Sequence, residues 1–570
     1  MSGWDIFSRA LWDFFRIFAA ENIYKKMPLK RYIALILCLF ASIASSAQLA
    51  ETEIFLIVSR PQFREGLKPF VQWKRQEGFD VVELYADTNR CFLVKEMICS
   101  QWPVSEGRWP EYTLLVGDHE QLEAFRGSMS FYGESHFTDL PYSDFTDDHL
   151  PETLLGRWPV NDTAELRTVV EKTLRYEQFL DMDTLQLRRV LLVAGREYGE
   201  PAPTTTNGQV NYLKREIKLA HPDIDTLCWY NPDSDNQGTD IASAIGQGAC
   251  LLNYTGHGLF NRWDHPTMTV NMIADAGMTQ PTVWVNNCCQ SNAFTGIGFG
   301  ECLLRMPVGG AVGVIGATNS TLWAEDYYWA VGPKSPFSLD PAYDSTALGA
   351  FDGLIGRYRT TATLGQLLYN GNMAVTAFGS SYTNYYWDIY CLFGDPSLKP
   401  WIGVPQEIDL EVDSVYSGQH VVNIAGTPGV RVTAVQDTEL LGVATIDSLG
   451  QATIALRHAL DSHPLLVTAT GVDLVPHVVI LATDTTVGIN ESENRLSEID
   501  IFPNPANCDI TVRVGRPATL TLLDLQGRSI IPSTHVNSSF CISHSSLRPG
   551  IYFIIVTTDK NSVSRKIIIR

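Results

Sequence analysis

The sequence predicts a mainly parallel α/β sheet covered by helices on both faces, followed by two smaller all-β units. Three observations predict it. From Thr52 to about Pro400, short near-continuous apolar runs alternate with helical patterns, which is how strands buried on both faces read. After Trp401 the text changes to short alternating strands broken by Gly418, Gly426, Gly429, Gly442 and Gly450. Finally, 570 residues, 45% hydrophobic and 18% charged, exceed what one core holds and suffice for several, which excludes a disordered chain or a coiled-coil rod.

Taken in order, a basic start at Met27-Pro-Leu-Lys30-Arg31, an apolar run over 32–44 and small residues at Ser45-Ser46-Ala47 read as a signal peptide over 27–47. The run is shorter than the ~20 residues that span a bilayer, and no later segment is long enough, so no transmembrane segment is expected in the mature chain. Residues 1–26 are read as lying upstream of the true start, with an amphipathic surface helix as the alternative. The first α/β unit, 52–165, has strands at 54–58, 81–84 and 112–116 and a helix at 63–78. The second, 166–403, has strands at 190–193, 250–254, 282–285 and 311–315. A helix over 164–179, with Leu166, Val169, Val170 and Leu174 at helical spacing, joins the two. Residues 404–482 fit an immunoglobulin-like sandwich, the polar stretch 483–498 a linker, and 499–570 a small C-terminal β domain.

The charge and cysteine counts narrow the partners. Lys plus Arg number 42 against 63 for Asp plus Glu, a net −21, which argues against nucleic acid or anionic lipid. Export permits disulfides, and Cys508 and Cys541 are open to pairing. No C-x-x-C pair occurs, so a structural zinc is not expected.

In open α/β sheets ligands bind beyond the carboxyl ends of the strands. There this sequence places Gly195-Arg196-Glu197, then Thr255-Gly256-His257-Gly258, then Asn287-Cys288-Cys289. A carboxylate, an imidazole and a thiol are the parts of a nucleophilic cysteine site: a base polarises the thiol, an acid orients the base, and backbone N–H groups hold the oxyanion. Gly256 and Gly258 allow close approach of backbone, and a turn after the strand would expose the thiol near a helix N-terminus, where a thiolate is favoured. Taken singly, each residue has a structural reading; their joint placement at successive strand ends carries the catalytic one.

These residues resemble a known family. Tyr254-Thr-Gly-His-Gly258, Trp263, Cys289-Gln-Ser-Asn-Ala-Phe294, Gly309-Gly-Ala-Val-Gly-Val-Ile-Gly-Ala317 and Trp323 are similar to the gingipain (C25) family of cysteine endopeptidases. Gly117-Asp118, Gly156-Arg157, Tyr176-Glu177 and Leu392-Phe-Gly-Asp-Pro-Ser-Leu398 also match it. The resemblance implies a caspase-like fold over about 52–400 and endopeptidase chemistry without a required cofactor. Residue by residue it implies Cys289 as nucleophile, His257 as general base and acid, Glu197 as the orienting carboxylate, and Gly258 N–H with Cys289 N–H as the oxyanion hole. Cys288 is the alternative nucleophile; Phe294, five residues after Cys289, favours Cys289. Asn292 departs from the small residue usual three after the nucleophile. Asn211 is the nearest counterpart of the specificity-pocket Asp in Arg-directed members, or else a polar residue at a helix start, and Trp263 walls that pocket or belongs to the core.

At the other end, Ile501-Phe-Pro-Asn-Pro505, Leu523-Asp-Leu-Gln-Gly-Arg528, Leu547-Arg-Pro-Gly-Ile-Tyr-Phe553 and the basic terminus from Lys566 to Arg570 resemble the sorting domain of the type IX secretion system. That implies its secretion machinery as a partner and a secreted or cell-surface location. Among weaker motifs, Asp144, Asp147 and Asp148 could hold a structural Ca²⁺ but lack the EF-hand pattern. Gly394-Asp395-Pro396 reads as a turn, and Asp264-His265 as a second-choice base. The expected function is a secreted cysteine endopeptidase acting on proteins or peptides. A non-catalytic surface binding protein on the same fold, or a transpeptidase of the same family, is the alternative.

Overall fold

The structure is a computed structural model describing residues 52–127, 135–334, 336–346, 348–353, 363–483, 499–524, 527–558 and 562–570. The expected signal segment 27–47, the stretch 1–26 and nearly all of the linker 483–498 lie outside them.

The α/β part is organised on one ten-stranded sheet. Its strands are β1 (Ile54–Ser59), β2 (Asp80–Tyr85), β3 (Tyr112–Val116), β4 (Leu154–Trp158), β5 (Arg189–Ala194), β6 (Asp225–Trp229), β7 (Leu251–Gly256), β8 (Thr282–Cys288), β9 (Ala311–Ala317) and β10 (Tyr390–Gly394). They lie in the order β2-β1-β3-β4-β10-β9-β8-β7-β5-β6, all parallel except for the antiparallel pairing of β9 with β10. The four strands from 52–165 and the six from 166–403 thus join edge to edge through β4 and β10 instead of forming separate sheets. β4, β6 and β10 are additional to the strands read from the sequence. β6 is an edge strand, part-exposed along its length, and β4 is interrupted by the Gly156-Arg157 pair, so neither shows an unbroken apolar run.

Alternation in β5 shows why the runs are apolar throughout. Leu191 and Val193 enter one core, and Val190, Leu192 and Ala194 the other. Both faces are therefore dry. The helix Arg64–Gln76 buries Leu67, Phe70, Val71 and Lys74 at helical spacing, and the helix Thr163–Glu177 starts at Asp162, whose carboxylate accepts the N–H groups of Ala164 and Glu165.

Several of the family-like motifs are scaffold. Lys74 is buried with its ammonium 2.7 Å from Glu77, Glu177 and Asp395, tying both helices to the turn after β10. Asp395 also accepts from Ser397 N–H and its hydroxyl, as the turn reading expects. Arg157 makes a two-pronged pair with Asp139, both contacts 2.7 Å, and donates to Gly117 O.

Residues 410–481 form two facing antiparallel sheets of three and four strands, with Val422, Ile424, Val432, Ala434 and Val467 between them. This unit meets the α/β part at the end of the helix Arg64–Gln76. Arg431 pairs with Glu53 at 2.7 Å and donates to Gly78 O, and the Thr433 hydroxyl donates to Gln76 O. Residues 499–569 again form sheets of three and four strands. One face, with Ile551, Phe553 and Ile555, packs on Val435, Leu440 and Leu466 of the preceding unit. Cys508 and Cys541 are free and exposed, so the open pairing is not made. Among the described residues no helix is long and apolar enough to cross a membrane.

Candidate active site

Register decides the site. Ala194 of β5 and Asn287 of β8 both pair with Thr255 of β7, so three adjacent strands end level with one another. Glu197 follows β5, His257 follows β7 and Cys289 follows β8. The chain leaves β5 for β6 on one side and then crosses to β7 on the other, so the gap between β5 and β7 is the point at which the winding reverses, the place where open α/β sheets bind their ligands.

Across that gap His257 Nε2 lies 3.0 Å from Glu197 Oε2, with the two side chains 40% and 35% exposed. Glu197 Oε1 accepts from the N–H groups of Tyr198 and Gly199. The hydrogen bond from His257, followed by these two backbone donors, holds the Glu197 carboxyl down at about 2. The backbone of His257 is pinned as well: its carbonyl accepts from the Tyr254 hydroxyl at 2.7 Å and from Asp264 N–H at 3.0 Å. Glu197 thus takes Nε2, and Nδ1 is the ring nitrogen it does not engage.

Cys289 is half-buried, and burial pushes its thiol up from the ordinary range. Thr321 N–H donates to Sγ at 3.2 Å, and the sulfur's other contacts are with the Thr321 carbonyl and hydroxyl. The next helix begins only at Phe299, so the expected helix N-terminus does not follow directly on Cys289; a loop amide supplies the donor instead. Cys288 is fully buried, and burial raises its thiol well above the ordinary range. Gly258 abuts both cysteines: a Cβ there would stand 2.4 Å from Cys289 O and 2.6 Å from Cys288 Sγ. Asn292 is buried, its amide donating to the carbonyls of Val314 and Cys391, so the departure at this position is built into the loop's support. Phe294 packs edge-on against Phe393 and anchors the same loop.

For Trp263 the structure decides between the two readings, and for Asn211 it changes the place in the helix. Trp263 does not wall a pocket: it is 0% exposed, stacks on Tyr254 at 4.2 Å and donates through Nε1 to Asn286. Asn211 sits in the middle of the helix Ala202–Ala220 rather than at its start. Its amide donates to Leu339 O at 2.6 Å and its oxygen accepts from the Tyr230 hydroxyl, so its polar atoms are engaged in joining helix, strand end and loop. His265, the second-choice base, pairs with Asp235 at 3.2 Å. Asp144, Asp148 and Glu152 converge, whereas Asp147 turns to Lys95 at 2.7 Å.

Thr321 and Asp326 are absent from the residues that the sequence singles out. A signal for them exists, because the strand-end rule that finds Glu197, His257 and Cys289 leads, when applied to β9, directly to 318–326. Trp323, the first residue of the helix Trp323–Val331 that also carries Asp326, sets its ring edge-to-face on His257, centroids 5.1 Å apart.

Comparison with known proteins shows what the chain is similar to. A profile described as peptidase family C25 matches residues 49–401, and one described as a secretion system C-terminal sorting domain matches 500–570. Lys-gingipain W83 of Porphyromonas gingivalis is 28% identical over 425 residues, 70% of this chain and 24% of that protein. Gingipain R2 of the same species is 23% identical over 539 residues, 90% of this chain and 67% of that protein. The chain therefore spans about a quarter of the length of the Lys-gingipain it matches. Among solved structures, a protease superposes with a TM-score of 0.69 at 25% identity, covering 77% of this chain and 99% of that one. The crystal structure of the Arg-specific cysteine proteinase gingipain R, at 20% identity, shares the fold with a TM-score of 0.65 over 77% of this chain and all of that one.

Proposed function

The chain belongs to peptidase family C25, and from that premise we propose that it is a cysteine endopeptidase that hydrolyses peptide bonds of protein or peptide substrates through an acyl-enzyme on Cys289. Its type IX sorting domain at 500–570 makes it a secreted or cell-surface protein, and the type IX machinery is the partner that reads this segment. The reading rests on one observation above others: the 3.0 Å His257–Glu197 contact sits across the sheet's reversal point, with Cys289 at the matching end of the next strand.

The chemistry comes from the groups present. The resting sulfur is a thiol, because burial disfavours its charge, so a base must act on it. His257 takes the proton on Nδ1 while Glu197 holds Nε2–H and stabilises the imidazolium. Sulfur attacks the scissile carbonyl; Gly258 N–H and Cys289 N–H receive the oxyanion. His257 then returns the proton to the leaving amine, and the C–N bond breaks to leave a thioester. Water, deprotonated by the same imidazole, attacks the thioester, releases the acid and restores the thiol. Side-chain and backbone groups carry every step, so no cofactor is called for. Cys289→Ala and Cys288→Ala, compared on a denatured casein substrate, test the reading: activity should vanish in the first and survive in a folded second, and full activity in Cys289→Ala would overturn it.

A further inference from the structure

The loop after β9 makes contacts that this chemistry does not use. Besides the Thr321 N–H on Cys289 Sγ at 3.2 Å, the Thr321 hydroxyl oxygen lies 3.8 Å from the sulfur. That hydroxyl donates to Asp326 Oδ2 at 2.7 Å. Oδ1 of Asp326 is 2.8 Å from the hydroxyls of both Tyr386 and Tyr390, so its neighbours are three hydroxyls rather than a cation. The main chain of the loop is fixed residue by residue. Asn319 O accepts from Gln290 N–H beside the nucleophile, Ser320 O accepts from the Tyr385 hydroxyl, and Leu322 N–H donates to the Tyr386 oxygen. A buried carboxylate held this way is costly unless every donor stays in place; its side chain reaches the sulfur through Thr321, while its carbonyl accepts from the Asn287 amide at the end of β8.

On the reading that Cys289 is the nucleophile, we propose that Thr321 and Asp326 are its positioning residues. Thr321 N–H holds the sulfur and later hydrogen-bonds the thiolate; Asp326 fixes Thr321 through the hydroxyl, and its negative charge opposes thiolate formation until His257 accepts the proton. The other titratable groups that interact with Cys289 are Cys288 beside it, Tyr254 of β7 and Tyr390 of β10, and burial keeps all three neutral well into the alkaline range. Burial also pushes the Asp326 carboxyl up to about 7, so above that pH the sulfur faces its full charge. A unit charge reached through those two contacts, at about 6.5 Å, shifts a thiol by about two pH units at an effective dielectric near 20.

The test uses the full chain and two readouts: the pH dependence of iodoacetamide alkylation at Cys289, followed by peptide mass spectrometry, and kcat/KM on denatured casein. Asp326→Asn should lower the alkylation midpoint by about two units. Thr321→Val, which keeps the N–H but loses the hydroxyl anchor, should cost about tenfold in kcat/KM and move the midpoint upward, and Thr321→Ser should restore most of that loss. A merely structural role would reduce the folded fraction and leave the midpoint where it was. An unmoved midpoint in folded Asp326→Asn overturns the proposal. If Asp326→Asn does not fold, wild-type values in Thr321→Val do so. Retained activity in Cys289→Ala would instead sink the nucleophile reading, so the two failures are separable.

Discussion

Replacing Glu197 by Gln should disable the site more than its near-identity of shape implies. In the native protein three N–H donors converge on this carboxylate: His257 Nε2–H at 3.0 Å on one oxygen, and the backbone N–H groups of Tyr198 and Gly199 at 2.6 and 3.1 Å on the other. A carboxylate accepts all three; an amide has one accepting end. If the Gln oxygen stays with the backbone donors, its NH₂ faces Nε2, which must then become the acceptor, and the ring proton moves to Nδ1, where the base is needed. A hydrogen bond to a charged group contributes about 1.5–3 kcal/mol. With both side chains more than a third exposed, solvent screening favours the lower end, about 1.5 kcal/mol or roughly tenfold in kcat/KM. Glu197→Ala loses only orientation and should show about that tenfold effect, whereas Glu197→Gln, which also imposes the wrong tautomer, should lose more. Because the wild-type carboxyl is held near 2, its contribution should persist down to about pH 3 and vanish as pH falls through that value. The assay is kcat/KM on denatured casein for the three proteins across pH. Glu197→Gln within twofold of wild type, or clearly better than Glu197→Ala, would refute the reasoning.

Two further outcomes rest on packing. Gly258→Ala places a methyl 2.4 Å from Cys289 O and 2.6 Å from Cys288 Sγ, which must push the two strand ends apart; a displacement of that kind should cost about 100-fold in kcat/KM with far-UV circular dichroism unchanged. Lys74→Met leaves Glu77, Glu177 and Asp395 without their shared cation and should destabilise the α/β part by about 3–5 kcal/mol in urea unfolding followed by tryptophan fluorescence; a loss under about 1 kcal/mol would contradict the role given to Lys74.

How far the sequence could be read depended on whether a feature is local. The strands that carry Glu197, His257 and Cys289 were legible because burial on both faces leaves a continuous apolar run, and the strand-end rule then found the three side chains. β10 was not legible: 390–394 reads as one more apolar stretch, and only the three-dimensional path makes it the antiparallel bridge between β4 and β9. The surroundings of Trp263 and Asn211 were out of reach for the same reason. Nothing in the text says which way a side chain turns, and the stacking of Trp263 on Tyr254 and the Asn211 bond to Leu339 O are long-range facts. The Thr321–Asp326 link was in reach of the rule but not of a motif, since neither residue type announces a role by itself.

The central claim, that Cys289 is the nucleophile and His257 its base, is tested most directly by mapping the adduct of a peptide-based, thiol-directed inhibitor on the intact chain by tandem mass spectrometry. The account predicts a single modification on Cys289, lost when His257 is replaced by Ala and retained in Cys288→Ala. Modification of Cys288, or equal labelling of Cys289 with and without His257, would contradict it.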